Sequence, residues 1–197
     1  MECADGVLLV ADNPSASLHK ISEMYDRIAF AGAGKYNEFE MLRKAGIRHA
    51  DLKGYTYSRE DVAAKSLANA YSQTIGSIFS ADPKPLEVEL LVVEVGQAEK
   101  PNELYRISFD GSIIDERGVA VIGGKSEALM TFLKSRWTTA AISLREALRL
   151  SVDALDTVTN QKLGPEVLEV AVLDHTRSGR TFRRIAPGES RVFLNSP

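Results

Sequence analysis

Only one cysteine, Cys3, occurs in 197 residues. No internal disulfide can form, so the cross-linked framework of a small secreted domain is excluded, and the thiol usage suits a reducing cytoplasm. Long apolar runs are missing as well. None approaches the roughly 20 residues that cross a bilayer. The opening Met1-Glu2-Cys3-Ala4-Asp5-Gly6 has no basic stretch followed by an apolar one, so it does not read as a signal peptide. There is no excess of positive charge. Lys and Arg number 24 against 27 Asp and Glu, a net −3, which favours neither non-specific nucleic-acid binding nor attraction to an acidic membrane.

Several chemical signatures are also absent. His19, His49 and His175 are far apart, whereas zinc sites need closely spaced His or Cys, so no metal and no cofactor is expected. His49 is read as a packed or half-exposed residue on the inner face of a helix. No serine stands in Gly-x-Ser-x-Gly, so there is no nucleophile elbow. Lys162, Arg177, Arg180, Arg183 and Arg184 make the C-terminal region basic. However, Arg183 and Arg184 cannot share one side of a strand, and nucleic-acid binding would need a larger patch with interleaved aromatics.

What is present is ordinary globular material, 44% hydrophobic and 26% charged. A chain of this length forms one domain, 1–197, and buries roughly 70% of its unfolded surface. Val7–Ala11 is a short apolar run closed by Asp12-Asn-Pro-Ser, which predicts a buried strand. A first strand so near the start suggests that a natural N-terminal extension is absent. Lys20–Met24 and Arg27–Ala31 predict a hairpin around Tyr25-Asp26, and Gly32 and Gly34 end that pattern.

Helical spacing of Phe39, Leu42, Ala45 or Gly46, His49 and Leu52 predicts a helix from about Asn37 to Lys53. Ser58-Arg-Glu-Asp61 has the form of an N-cap, and Val62, Leu67, Tyr71, Ile75, Ile78 and Phe79 mark a long helix stopped before Pro83. Glu87–Val95 and Leu104–Phe109 predict strands. Asp110-Gly111 turns the second of these into Ser112–Asp115. Val119–Ile122 predicts a strand, Ser126–Trp137 and Ser143–Val158 helices, and Val167–Leu173 with Thr181–Ile185 a last hairpin. Strands and helices come in segregated runs, which predicts two sheets with helical layers outside them rather than an alternating parallel sheet.

Gly124-Lys125-Ser126 lies between a strand and a helix and invites a phosphate-loop reading. That motif needs Gly-x-x-x-x-Gly-Lys-Ser/Thr, but Val119 stands where the first glycine belongs. A tight helix entry accounts for the two glycines, and nucleotide binding stays a minor alternative.

The remaining motifs carry a resemblance. Val-Ala-Asp12, Leu-His-Lys20-Ile, Asp26-Arg-Ile-Ala-Phe-Ala-Gly32, Gly34-Lys35-Tyr-Asn-Glu38-Phe and Gly54-Tyr-Thr-Tyr57 resemble an α-type subunit of the proteasome core particle, of the actinobacterial type. The likeness continues through Leu67-Ala-Asn-Ala-Tyr71, Pro83-Lys-Pro85, Glu103-Leu-Tyr105, Phe109-Asp-Gly-Ser112 and Leu168-Glu-Val-Ala-Val-Leu-Asp174, and ends at Phe182-Arg-Arg-Ile185. It spans nearly the whole chain. It implies an α+β fold, a four-layer αββα sandwich of the N-terminal nucleophile hydrolase type.

It also implies a role. The catalytic β-type relatives use a processed N-terminal threonine, supported by an aspartate and a lysine that Asp12 and Lys20 resemble. Here no threonine precedes Ser15, and a lysine and an aspartate without their nucleophile make no catalyst. The resemblance therefore implies a non-catalytic, cytoplasmic subunit. Copies of the chain would form a seven-membered ring stacked on β-type subunits, gating entry for protein degradation.

Lys20, Gly34 and Lys35 would form the pocket that receives the C-terminal carboxylate of a ring-shaped ATPase or other activator. An ammonium facing a carboxylate makes a charge-assisted hydrogen bond. Glycine at 34 would let the tail's backbone approach, and Lys35 would strengthen capture or face solvent. The family's N-terminal helix and pore-closing arm are not in this sequence, from which a permanently open pore is expected. The alternative is a self-sufficient N-terminal nucleophile hydrolase using Cys3.

Overall fold

Two antiparallel sheets lie face to face in the computed structural model, which describes residues 1–15, 17–97, 100–137 and 142–195. The four-stranded sheet has the order β1 (Glu2–Cys3), β2 (Gly6–Asp12), β8 (Leu168–Asp174), β9 (Phe182–Ile185). The five-stranded sheet runs β3 (Ile21–Tyr25), β4 (Ile28–Gly34), β5 (Val88–Glu94), β6 (Glu103–Ile107), β7 (Ile113–Glu116). Helices α1 (Tyr36–Thr56) and α2 (Ala64–Ala81) cover the outer face of the five-stranded sheet. Helices α3 (Ser126–Arg136), α4 (Leu144–Thr159) and α5 (Pro187–Asn195) lie on the other side. This is the four-layer αββα sandwich.

The layering follows from the two-residue period of the strands. In β2, Val7 and Leu9 join Ala29, Val93, Ala171 and Leu173 between the sheets. The intervening Leu8 packs with Ala147, Leu148 and Val152 of α4. In β4 the alternate residues Ile28 and Phe30 turn outward onto Phe39, Leu42, Leu67 and Tyr71 of α1 and α2. Each such side chain contributes about 1.5–3 kcal/mol on burial, so a one-residue slip in either strand would expose a whole face.

Several expectations are corrected. Gly32 does not end its strand. β4 continues to Gly34, and Gly32 is small because a Cβ there would meet the Phe39 ring at 2.7 Å. The buried stripe of α1 is Phe39, Leu42, Gly46 and Ala50. His49 is exposed and Leu52 is 67% exposed, because a helix phased on Gly46 buries position 50 rather than 49. Ser58 caps only a short 3₁₀ turn, Arg59–Asp61, accepting from the Glu60 N–H. The long helix starts at Ala64, whose N–H donates to the Glu94 carboxylate at 2.7 Å. Its cap therefore comes from β5 and cannot be seen locally. Residues 119–122 are in no strand. Helix α5, which begins at Pro187, has no counterpart among the sequence expectations. By contrast, Ser143 forms a full capping box with Glu146 at the start of α4.

Gly46 shows how tightly α1 and α2 meet. A Cβ on it would lie 1.8 Å from the Tyr71 hydroxyl and 2.7 Å from Met24 Cε. Alanine would gain about 1 kcal/mol of helix propensity, but the overlap with a buried ring costs more. Gly46→Ala is expected to lower stability by a net 1–2 kcal/mol or about that, read as a reduced midpoint in urea unfolding.

Candidate functional site

Lys20 enters the structure through its backbone. Glu169, a carboxylate within the apolar part of strand β8, Leu168–Leu173, is buried at the end of the space between the sheets. It accepts from the backbone N–H of Lys20 at 2.8 Å and of Ile21 at 3.2 Å. Asn13 Nδ2 donates to it at 2.7 Å and Arg184 Nη1 at 2.6 Å, with His19 Nδ1 at 3.3 Å. Arg184 also donates to the Ile21 carbonyl at 2.6 Å, and Asn13 holds the Leu18 carbonyl at 2.7 Å. One carboxylate thus ties β8 and β9 of one sheet to the start of β3 in the other, and to the 13–20 connection. Burial pushes the Glu169 carboxyl up. The donors, led by the Lys20 N–H and then Arg184, Asn13 and the Ile21 N–H, outweigh it and hold the pKa below the ordinary 4.5.

Held this way, the Lys20 side chain crosses to β2, where Nζ donates to the Asp12 carbonyl at 2.6 Å. The two residues meet through main chain. No ion pair joins their side chains, and the Lys20 ammonium has no carboxylate partner among the described residues. It lines a cavity of about 290 Å³ between the sheets, together with Asp12, Gly32, Ala33, Leu91 and Ile122. The wall contains no threonine, cysteine or histidine among the described residues. Its one serine, Ser151, donates to the Ala147 carbonyl within α4.

The other two candidate residues lie past the cavity wall at the end of β4. Gly34 has φ +105°, and a Cβ there would strike the Glu87 carbonyl at 2.0 Å, so the β4–β5 junction alone requires glycine. Lys35 is neutralised. Its Nζ lies 3.2 Å from the Glu87 carboxylate and 3.8 Å from that of Glu38, with Lys84 3.5 Å from Glu87 on the other side. The structure therefore separates two cations that are close in sequence, one unpaired and one held by acids.

The remaining candidates are placed elsewhere. Cys3 packs on the α4 side of β1, off the cavity, with its thiol on the Gly6 carbonyl at 3.6 Å. Burial pushes that thiol's pKa up, away from the thiolate a nucleophile needs. The Gly123 N–H donates to the Glu89 carboxylate at 2.7 Å, and Lys125 Nζ to the Val158 carbonyl at 3.0 Å. An acid occupies the spot a phosphate would need. No cluster of His, Cys, Asp and Glu able to hold a metal occurs among the described residues. Sequence reasoning did not single out Glu169 or Asn13, and it read Arg184 only as part of a basic C-terminal region. The available signal was a charge inside a run of six apolar-strand positions.

Comparison with known proteins gives a consistent result. A family model described as "Proteasome subunit" matches residues 1–173. The proteasome subunit alpha of Kineococcus radiotolerans is 51% identical over 191 residues, covering 93% of this chain and 80% of the relative. That of Thermomonospora curvata is 54% identical over 182 residues, covering 92% and 79%. That of Streptomyces coelicolor is 50% identical over 201 residues, covering 100% and 79%.

Glu169→Gln keeps the shape of the knot but removes its charge, and it turns one acceptor toward donors as a donor itself. It is expected to cost about 2–4 kcal/mol, seen as a lower midpoint in thermal unfolding. Because the folded-state pKa is depressed, the charged form stabilises the native state above the ordinary value of 4.5 and that part fades as pH falls through the folded value. The difference in stability between wild type and Glu169→Gln should therefore be largest near neutrality and shrink below about pH 4.5.

Proposed function

The chain belongs to the proteasome subunits, among the α-type subunits of the actinobacterial kind. On that premise we propose that it is a non-catalytic, ring-forming subunit that docks the C-terminal tails of an activator through Lys20. An α-type subunit assembles with other copies of itself and with β-type subunits. In the finer reading, seven copies form an outer ring that stacks on a catalytic β ring, in the cytoplasm, and controls entry to the chamber. The exposed apolar side chains at the end of α1 support assembly. Leu52, Tyr55 and Tyr57 are 67%, 91% and 75% exposed in the single chain, and a cluster of that kind marks a protein–protein contact.

The observation that carries the docking role is the state of Lys20. Its backbone is fixed by Glu169, while its ammonium donates to a carbonyl and meets no carboxylate among the described residues. A tail carboxylate reaching it would form a charge-assisted hydrogen bond without displacing an existing ion pair. Lys35 offers less. It would have to leave Glu87 and Glu38, so its contribution to capture is secondary to that of Lys20. Gly34 supports the site by keeping the β4–β5 junction tight beside it.

Two observations speak for a non-catalytic role. The cavity wall supplies no unengaged hydroxyl or thiol among the described residues. Cys3, the nucleophile of the alternative hydrolase reading, sits on the opposite face of its sheet with a raised pKa. A covalent mechanism needs its nucleophile beside the base that activates it.

Lys20→Ala should leave folding and ring assembly intact, since the side chain makes one hydrogen bond among the described residues. Binding of an activator-tail peptide with a free C-terminal carboxylate should weaken at least about tenfold, in line with loss of about 1.5–3 kcal/mol for a hydrogen bond between charged partners. Isothermal titration on the assembled ring reads this, and unchanged affinity would refute the docking role. The purified chain should show no hydrolysis of fluorogenic peptides. Activity that disappears in Cys3→Ala would overturn the non-catalytic assignment.

A further inference from the structure

One member of the Glu169 knot changes its charge near neutrality. Asn13, Arg184 and the Lys20 and Ile21 N–H groups donate to the carboxylate at every ordinary pH. His19 is different. Its Nδ1 lies 3.3 Å from Glu169 Oε1, the oxygen that also receives Arg184. That distance suits an ion pair, and the contact becomes one when the imidazole is protonated. Histidine gains its charge between about pH 5 and 8. The side chain is 55% exposed, so a proton from solvent reaches the ring without any opening of the fold.

The charges around that ring are constant. A polar pocket beside it is shaped by Glu23 of β3, Tyr36, Glu40 and Arg43 of α1, and Arg180 and Arg184 at β9. Glu23 pairs with Arg180, Glu40 with Arg43 and Glu169 with Arg184. The Arg43 guanidinium holds the Glu40 carboxyl below its ordinary 4.5. Carboxylates, guanidiniums, ammonium groups and phenols keep one charge state between about pH 6 and 8. The same holds for Lys20 and Asp12 on the other side of the chain. His49 and His175 do not line this pocket. Protonation of His19 acts on the dock in two ways. It adds a contact that holds the 13–20 connection onto Glu169, whose other oxygen receives the Lys20 N–H at 2.8 Å. It also places a second positive charge one residue from the Lys20 ammonium. Both favour an incoming carboxylate.

We propose that His19 is a positioning residue whose protonation regulates the Lys20 dock, so that an activator's C-terminal carboxylate is held more tightly in mildly acidic than in mildly alkaline solution. This rests on the docking role proposed for Lys20. The charged imidazole is present at the acidic end, so the extra capture grows as pH falls from about 8 to about 6 and is lost as pH rises again. Binding and protonation are linked reciprocally. Tail binding therefore draws a proton onto His19.

The test titrates an activator-tail peptide with a free C-terminal carboxylate into the assembled ring at about pH 6 and about pH 8. Wild type should bind about two- to fivefold more tightly at the lower value, as expected for one added charge screened by solvent. Calorimetry in buffers of different ionisation enthalpy should show proton uptake on binding. His19→Gln should bind at the wild type's alkaline level at both values, and any response of other titrating groups persists in it and subtracts out. His19→Lys carries a permanent charge and should bind at the acidic level at both. Without peptide, hydrogen exchange of the Lys20 amide should be about two- to fivefold slower in wild type than in His19→Gln at about pH 6, and equal at about pH 8. Both variants should fold, since the side chain is more than half exposed. Equal affinity at both values, a pH dependence that survives in His19→Gln, or Lys20 exchange that ignores the substitution would each overturn the proposal and leave docking at Lys20 standing. No binding at either value would overturn the docking role and this proposal with it.

Discussion

The buried carboxylate of Glu169 is the interaction on which the placement of the other parts depends. An ionised group in that position is costly unless every lone pair is met. Here it is met by Asn13, Arg184 and two backbone N–H groups. Those donors come from both sheets and from the connection between β2 and β3. The charge therefore does what apolar packing between the sheets cannot. Val7, Leu9, Ala29 and Leu173 hold the sheets together without fixing where the 13–20 connection runs. Directional bonds to Glu169 fix it, and with it the point at which Lys20 leaves the backbone.

That anchoring determines which cation is available. Lys20 and Lys35 carry the same charge and flank the same hairpin. Lys35 stands in a balanced cluster with Glu38, Glu87 and Lys84, so it exerts little net field on an approaching anion. Lys20 has a carbonyl for a partner and an apolar cavity beside it. Surface ion pairs contribute little to stability, typically below about 1 kcal/mol, but they decide which charges remain free to act.

Much of the fold was legible in the chain. The short apolar runs of β2, β5 and β8, the Asp110-Gly111 turn and the Ser143–Glu146 capping box are local signals. They specify the same structure in isolation and in the molecule. The misses share one cause, which is a partner distant in sequence. Helix α2 begins at Ala64 because Glu94 receives its N–H, and no residue near Ser58 reports that. Residues 119–122 have the composition and alternation of a strand but pair with no strand among the described residues. The phase of α1 follows from Gly46 meeting Tyr71 across the helix pair, which displaces His49 and Leu52 into solvent.

The sequence by itself determined most of the element types, the αββα layering and the family, because periodicity and motif spacing are properties of the chain. It also brought forward Lys20 and its neighbours as the residues to watch. Only the tertiary structure decided that Glu169 holds Lys20 in place, that acids neutralise Lys35, that Gly34 is required by a carbonyl of the next strand, and that Cys3 lies on the far face of its sheet. The physical reason is that charge state, hydrogen-bond satisfaction and burial depend on groups brought together from distant parts of the chain, as Glu169 is with Lys20 and Glu87 with Lys35. No local pattern encodes which of them will meet.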